Sequence, residues 1–89
     1  MTQRIVELVN RLGLHARAAA KLVHVSCRFS SEVLVRHEDE EVNGKSILGL
    51  LLLAAPCGSR LTITANGGDE TEALDALEEL IGGRFGEDE

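Results

Sequence analysis

The sequence predicts an α+β fold: an antiparallel four-stranded sheet covered on one face by three helices, in the order β-α-β-β-α-β-α. Three observations lead there. Short stretches alternate apolar and polar residues, as half-buried strands do. The stretches between them repeat apolar residues at three- and four-residue spacing, as amphipathic helices do. Glycine, proline, asparagine and acidic clusters separate the two kinds of segment. The 89 residues are expected to form one domain over 1–89, and a chain of this length buries roughly 60–65% of its unfolded surface. Its core must be aliphatic, because Phe29 and Phe85 are the only aromatic residues.

Each element has its own signature. Arg4 to Val9 is rich in Ile, Val and Leu and reads as the first strand, although its alternation is too imperfect to fix the buried face. Asn10 to Leu14 is a loop containing Gly13. From Ala16 to Cys27 the pattern turns helical: Ala19, Leu22, Val23 and Ser26 share a face, with Ala16, Ala20 and Cys27 extending it. Glu32 to His37 alternates, with Val33 and Val35 on one face and Leu34 on the other. The acidic stretch 38–41 reads as a turn leading into a short strand that ends near Val42, which makes a hairpin.

Ser46 is placed to cap the next helix, Ile47 to Leu53. That helix is apolar nearly all round: Leu50 and Leu53 suit the core, while Ile47, Leu48 and Leu51 lie on another side. Pro56, Gly58 and Ser59 mark a turn. Arg60 to Ala65 alternates cleanly, with Leu61, Ile63 and Ala65 opposite Thr62 and Thr64. After Gly67-Gly68, Asp69 with Glu72 three residues on has the form of a capping box. Leu74, Leu77, Leu80 and Ile81 form the last apolar stripe, ended by Gly82-Gly83. The tail Glu87-Asp88-Glu89 is expected to be mobile. There is no internal repeat, low-complexity segment or linker.

Charge and composition narrow the function. A formal charge of −6 argues against nucleic acid as partner, since a phosphate backbone needs a basic footprint. Acidic residues crowd into 38–41, 69–79 and 87–89, whereas Arg17, Lys21 and Lys45 make a local basic patch suited to a phosphate and an acidic protein partner. No segment has the form of a signal peptide. The apolar run 47–55 is too short to insert in a bilayer that needs about 20 residues. Cys27 and Cys57 lack CxxC or metal-ligand spacing and read as reduced thiols of a cytoplasmic protein, with a disulfide or redox role left open. The three histidines share no metal-type spacing, so neither a metal nor another cofactor is expected. His24 and His37 read as solvated surface residues.

The pentapeptide Gly13-Leu14-His15-Ala16-Arg17 falls where the apolar N-terminal run gives way to the helical pattern. A histidine at a helix opening meets unpaired backbone N–H groups and the positive end of the helix dipole, the geometry that binds phosphate. Arg17, two residues on, can reach an anion held on His15. A cation is slightly unfavourable at a helix N-terminus, and an arriving phosphate removes that penalty. Histidine, guanidinium and helix terminus together suggest a site that receives and passes on a phosphoryl group.

The pentapeptide resembles the active-site segment of HPr, the histidine-containing phosphocarrier family of the bacterial phosphoenolpyruvate-dependent phosphotransferase system. A second segment, Val42-Asn43-Gly44-Lys45-Ser46-Ile47-Leu48-Gly49, lies at the family's spacing and is similar to its regulatory serine segment. The resemblance covers nearly the whole chain. It departs at Ala18, where many members have proline, a change that keeps a good helix former. The resemblance implies an open-faced β-sandwich. It further implies that enzyme I transfers phosphate from phosphoenolpyruvate to Nδ1 of His15, that Arg17 stabilises it, and that sugar-specific or regulatory proteins accept it. Ser46 would be a second phosphorylation site for an HPr kinase/phosphorylase. An apolar patch of Ile47, Leu48 and Leu51, with Lys45 beside it, would dock partners.

The expected state is a monomer. With no nucleotide loop, metal site or paired carboxylates, the chain reads as a shuttle and protein substrate, not a complete enzyme. Three alternatives stay open from sequence: the nitrogen-related regulatory paralogue, a module that binds regulators without turnover, and an acylphosphatase-like hydrolase. The last lacks the phosphate loop it would need.

Overall fold

A computed structural model describes residues 1–88. Its elements are β1 (Thr2–Glu7), α1 (Ala16–Ser26), β2 (Glu32–His37), β3 (Glu40–Asn43), α2 (Ile47–Leu53), β4 (Arg60–Asn66) and α3 (Glu70–Gly82), followed by a single 3-10 turn at Arg84–Gly86. The strands form one sheet in the order β1-β4-β2-β3, antiparallel throughout. The predicted α+β class and element order are therefore observed.

Strand alternation sets which face is covered. Val6, Leu61, Ile63, Ala65, Val33 and Val35 are buried beneath the helices. On the other face Ile5 pairs with Thr62 and Gln3 with Thr64, and Arg36 pairs with Thr62. The helices close the core with Ala18, Ala19 and Leu22 of α1, Leu50 and Leu53 of α2, and Ala73, Leu74, Leu77 and Ile81 of α3. Phe85, with 1% of its surface exposed, fills the core from the 84–86 turn. Arg4 spans the sheet edge to Asp75 (2.5 Å) and Glu78 (2.9 Å) on α3. Among the described residues no helix is long and apolar enough to cross a membrane.

Several boundaries differ from expectation for physical reasons. β1 begins at Thr2, because antiparallel partnership with β4 carries the polar pair Thr2 and Gln3 into the sheet. It ends at Glu7, although Leu8 still exchanges backbone bonds with Ser59 (2.8 Å) and Gly58 (2.7 Å). Glu40 and Glu41 belong to β3, so the hairpin turn is only Glu38-Asp39, with Glu38 at φ 56°. In α1 the predicted stripe holds, with Ala19, Leu22 and Ser26 buried and Val23 packed against the core, but its margin does not: Ala16, Ala20 and Cys27 are exposed, and Ala18 is buried in their place.

The capping box is also absent. The Asp69 side chain makes no cap for α3. Its carboxylate instead accepts from the Ser30 and Ser31 amides at 2.9 Å each and from both serine hydroxyls. These bonds, the Ser31 hydroxyl foremost, hold its pKa down at about 2. Glu70, not Glu72, reaches back to the Gly67 amide, at 3.2 Å.

Candidate functional site

The loop before α1 is held against the segment that leaves α2. Gly13 has φ +67°, and a Cβ there would lie 2.5 Å from the Ala55 carbonyl oxygen and 2.9 Å from the Cys57 nitrogen. Only glycine fits both the left-handed backbone and the close approach. Leu14 donates to the Ala55 carbonyl (2.9 Å), and His15 to the Gly13 carbonyl (3.0 Å). The buried Asn10 Nδ2 also donates to the Gly13 carbonyl, at 2.8 Å. His15 is the N-cap of α1, with φ −84°, ψ 179° and no side-chain capping bond. Its carbonyl accepts the first helical bond, from Ala19 (2.8 Å). The backbone N–H groups of Ala16, Arg17 and Ala18 thus lack intrahelical acceptors, and they open at the end where the imidazole sits.

The His15 side chain is 26% exposed, and its Nε2 lies 2.5 Å from Oε2 of Glu87. The other carboxylate oxygen of Glu87 accepts from Asn10 Nδ2 at 3.1 Å. Partial burial alone would raise the Glu87 pKa. The hydrogen bonds from His15 and Asn10, with the charges of His15 and Lys21, outweigh it and bring it below the ordinary glutamate value. Arg17 lines the same open depression as His15 and Glu87. It is exposed and has no ion pair or hydrogen bond among the described residues.

Two expectations at this end of the molecule are corrected. Glu87 is not a mobile tail residue, since it is fastened to two side chains; Glu89 lies outside the described residues. Lys21 is not part of a free basic patch, because its Nζ donates to the Phe85 carbonyl at 2.5 Å.

The Ser46 segment is built for tight packing. Gly44 donates to the Val33 carbonyl at 2.7 Å, and a Cβ on Gly44 would lie 2.6 Å from Val33 Cγ1. Asn43 Oδ1 accepts from the Lys45 amide at 2.8 Å. Ser46 caps α2 as predicted, its Oγ accepting from Gly49 N at 3.1 Å. The Lys45 ammonium is anchored on the Phe29 carbonyl (2.9 Å), so its charge is partly spent on structure. Leu50 and Leu53 are buried, while Ile47, Leu48 and Leu51 are exposed, with Leu48 at 69%. Leu52, which the periodicity does not single out, is exposed beside them.

The remaining candidates stay apart. Among the described residues no group of His, Cys, Asp and Glu could hold a metal ion. His24 is exposed as expected, but the His37 side chain is only 17% exposed. Cys27 and Cys57 are exposed free thiols. Sequence reasoning missed Asn10 and Glu87. Asn10 carries a signal in hindsight, a polar residue entering a glycine loop. Glu87 carries none, since its partner His15 is 72 positions away.

An antiparallel sheet covered on one face by three helices, with this depression at the open end of α1, defines a protein of the open-faced sandwich class. The family model described as the PTS HPr component phosphorylation site matches residues 2–82. The chain is 48% identical to phosphocarrier protein HPr of Neisseria meningitidis serogroup A over 89 residues, all of both chains. It is 48% identical to that of Cupriavidus necator, again over the full length of both. Among solved structures, HPr-C-His from Thermoanaerobacter tengcongensis superposes with a TM-score of 0.96 at 40% identity, covering 100% of each chain. The chain belongs to the HPr family of phosphocarriers of the phosphotransferase system.

Proposed function

We propose that this chain is a single-domain, cytoplasmic phosphoryl shuttle with His15 as its acceptor. Enzyme I would charge it with phosphate from phosphoenolpyruvate, and sugar-specific or regulatory proteins would discharge it. One observation carries the reading: an imidazole at an uncapped helix start shares an open depression with an unpaired guanidinium. In the transfer, the Nδ1 lone pair of His15 attacks phosphorus. The bond between phosphorus and its donor group on enzyme I breaks as the new P–N bond forms. The phosphoramidate bond formed on His15 keeps the step reversible. The chain's own contribution is placement and charge: first-turn amides and Arg17 stabilise the equatorial oxygens of the moving group.

Ser46 is proposed as a second site, phosphorylated by an ATP-dependent kinase. Ile47, Leu48 and Leu51, with Leu52 added, are proposed as the docking surface, Lys45 flanking it; the carrier works as a monomer. The experiment is incubation with phosphoenolpyruvate and enzyme I, read by intact mass. Wild type should gain one acid-labile phosphate and His15→Ala none. Arg17→Ala should transfer more slowly while its unfolding free energy moves by about 0.5 kcal/mol or less, as surface changes do. Labelling retained in folded His15→Ala would move the site elsewhere and overturn the reading.

A further inference from the structure

We propose that Glu87 is a positioning residue for His15: it holds the ring as the Nε2–H tautomer, so that Nδ1 carries the lone pair that meets phosphorus. The inference rests on the proposed role of His15 as phosphoacceptor and names what orients that side chain. The contact is specific. Oε2 of Glu87 lies 2.5 Å from Nε2, while Oε1 is held by Asn10 Nδ2 at 3.1 Å. Asn10 is fully buried and binds the Gly13 carbonyl through the same nitrogen. One amide therefore fixes both the loop that carries the imidazole and the carboxylate that orients it.

The chain leading to Glu87 is also fixed. Phe85 is buried in the core, its carbonyl is bound by Lys21, and Glu87 N donates to Arg84 O at 2.9 Å. The carboxylate is delivered by a folded turn.

The chemistry follows from donor and acceptor capacity. An ionised carboxylate only accepts hydrogen bonds, so the nitrogen facing it must carry the proton. A neutral imidazole has one N–H, which leaves the lone pair on Nδ1. When the Nδ1–P bond forms and the donor's bond to phosphorus breaks, no proton has to leave Nε2. The ring gains positive charge, and the adjacent carboxylate stabilises it through a charge-assisted hydrogen bond. The phosphoryl group sits on the opposite nitrogen, across the ring from that carboxylate. The same contact serves the reverse step, because the ring leaves with its Nε2 proton already in place.

Two readouts test this on the full chain. Ring ¹⁵N–¹H spectra of wild type should show a downfield Nε2–H proton protected from exchange, and Glu87→Ala should lose it. Phosphorylation by enzyme I and phosphoenolpyruvate should be roughly 10- to 100-fold slower in Glu87→Ala, the size expected for losing one charge-assisted bond. Glu87→Gln, which keeps the length and removes the charge, should fall between. Unchanged melting temperatures would separate these effects from folding. Wild-type rates in Glu87→Ala, or an Nδ1–H tautomer in wild type, would overturn the positioning role while leaving His15 as acceptor. A wild type that takes no phosphate on His15 would instead overturn the shuttle reading, and the Nε2–H proton would still decide whether Glu87 orients the ring.

Discussion

Asp69 sits where sequence reasoning expected a helix cap, and it binds a different part of the chain. Two backbone amides and two hydroxyls of Ser30 and Ser31 converge on its carboxylate. The folded pKa lies below the unfolded one, so its stabilisation is fully present above the unfolded value. It fades as pH falls from about 4, where an unfolded aspartate titrates, to about 2. Carboxyl ¹³C titration should place the Asp69 midpoint near the bottom of that window, and Ser31→Ala should raise it. A midpoint unmoved by Ser31→Ala would remove the Ser31 hydroxyl as the main cause. Asp69 and Glu87 share a lesson. Both residue types were legible as acidic surface positions, and both found partners through loops far away in sequence. Gly13 is the opposite case: a glycine just ahead of a helix is visible locally, and the structure adds the Ala55 carbonyl that makes it necessary.

At the scale of elements, α2 divides into two jobs that substitutions can separate. Leu50 is fully buried, so Leu50→Ala should lower unfolding free energy by about 2–5 kcal/mol. Leu48 is largely exposed, so Leu48→Glu should change stability by about 0.5 kcal/mol or less yet weaken binding to enzyme I. Equilibrium denaturation and calorimetric titration read the two quantities; severe unfolding in Leu48→Glu would redraw the docking surface. Phosphorylation of Ser46 would add about −1.5 to −2 charges at the helix start. Ser46→Asp imitates part of this and should stabilise the domain by up to about 1 kcal/mol through the helix dipole. It should also slow the proposed charging of His15, since a desolvated charge beside the proposed docking face would oppose an acidic partner. A wild-type charging rate in Ser46→Asp would leave the serine as a cap alone. The bounds of α2 and β2 were legible because local signals mark them: the Ser46 cap and the Pro56 turn for α2, and apolar–polar alternation for β2. The centre of the α1 stripe was legible, from Ala19, Leu22 and Ser26, but its margin was not: Ala16, Ala18 and Ala20 carry almost no amphipathic contrast, and only packing chooses among them.

At the scale of the whole molecule, extents of 33 × 26 × 20 Å hold a core made from every helix and the covered face of the sheet. The antiparallel class followed from alternation, but the strand order did not. Nothing local in Arg60 to Asn66 says that it lies between β1 and β2. That order has a consequence in time. A ribosome delivers the first strand early, and the strand then waits without a neighbour until the fourth arrives, because β1 pairs only with β4. The β2–β3 hairpin is the sole part of the sheet that can close beforehand. Such distant pairing makes for late, cooperative assembly. Nascent chains halted before Arg60 should therefore be cut readily by protease throughout β1. Resistance should rise once β4 and α3 have cleared the exit tunnel, and reach its full value when Phe85 follows to seal the core. Early protection of β1 in the short chains would show that the strand finds another partner while it waits.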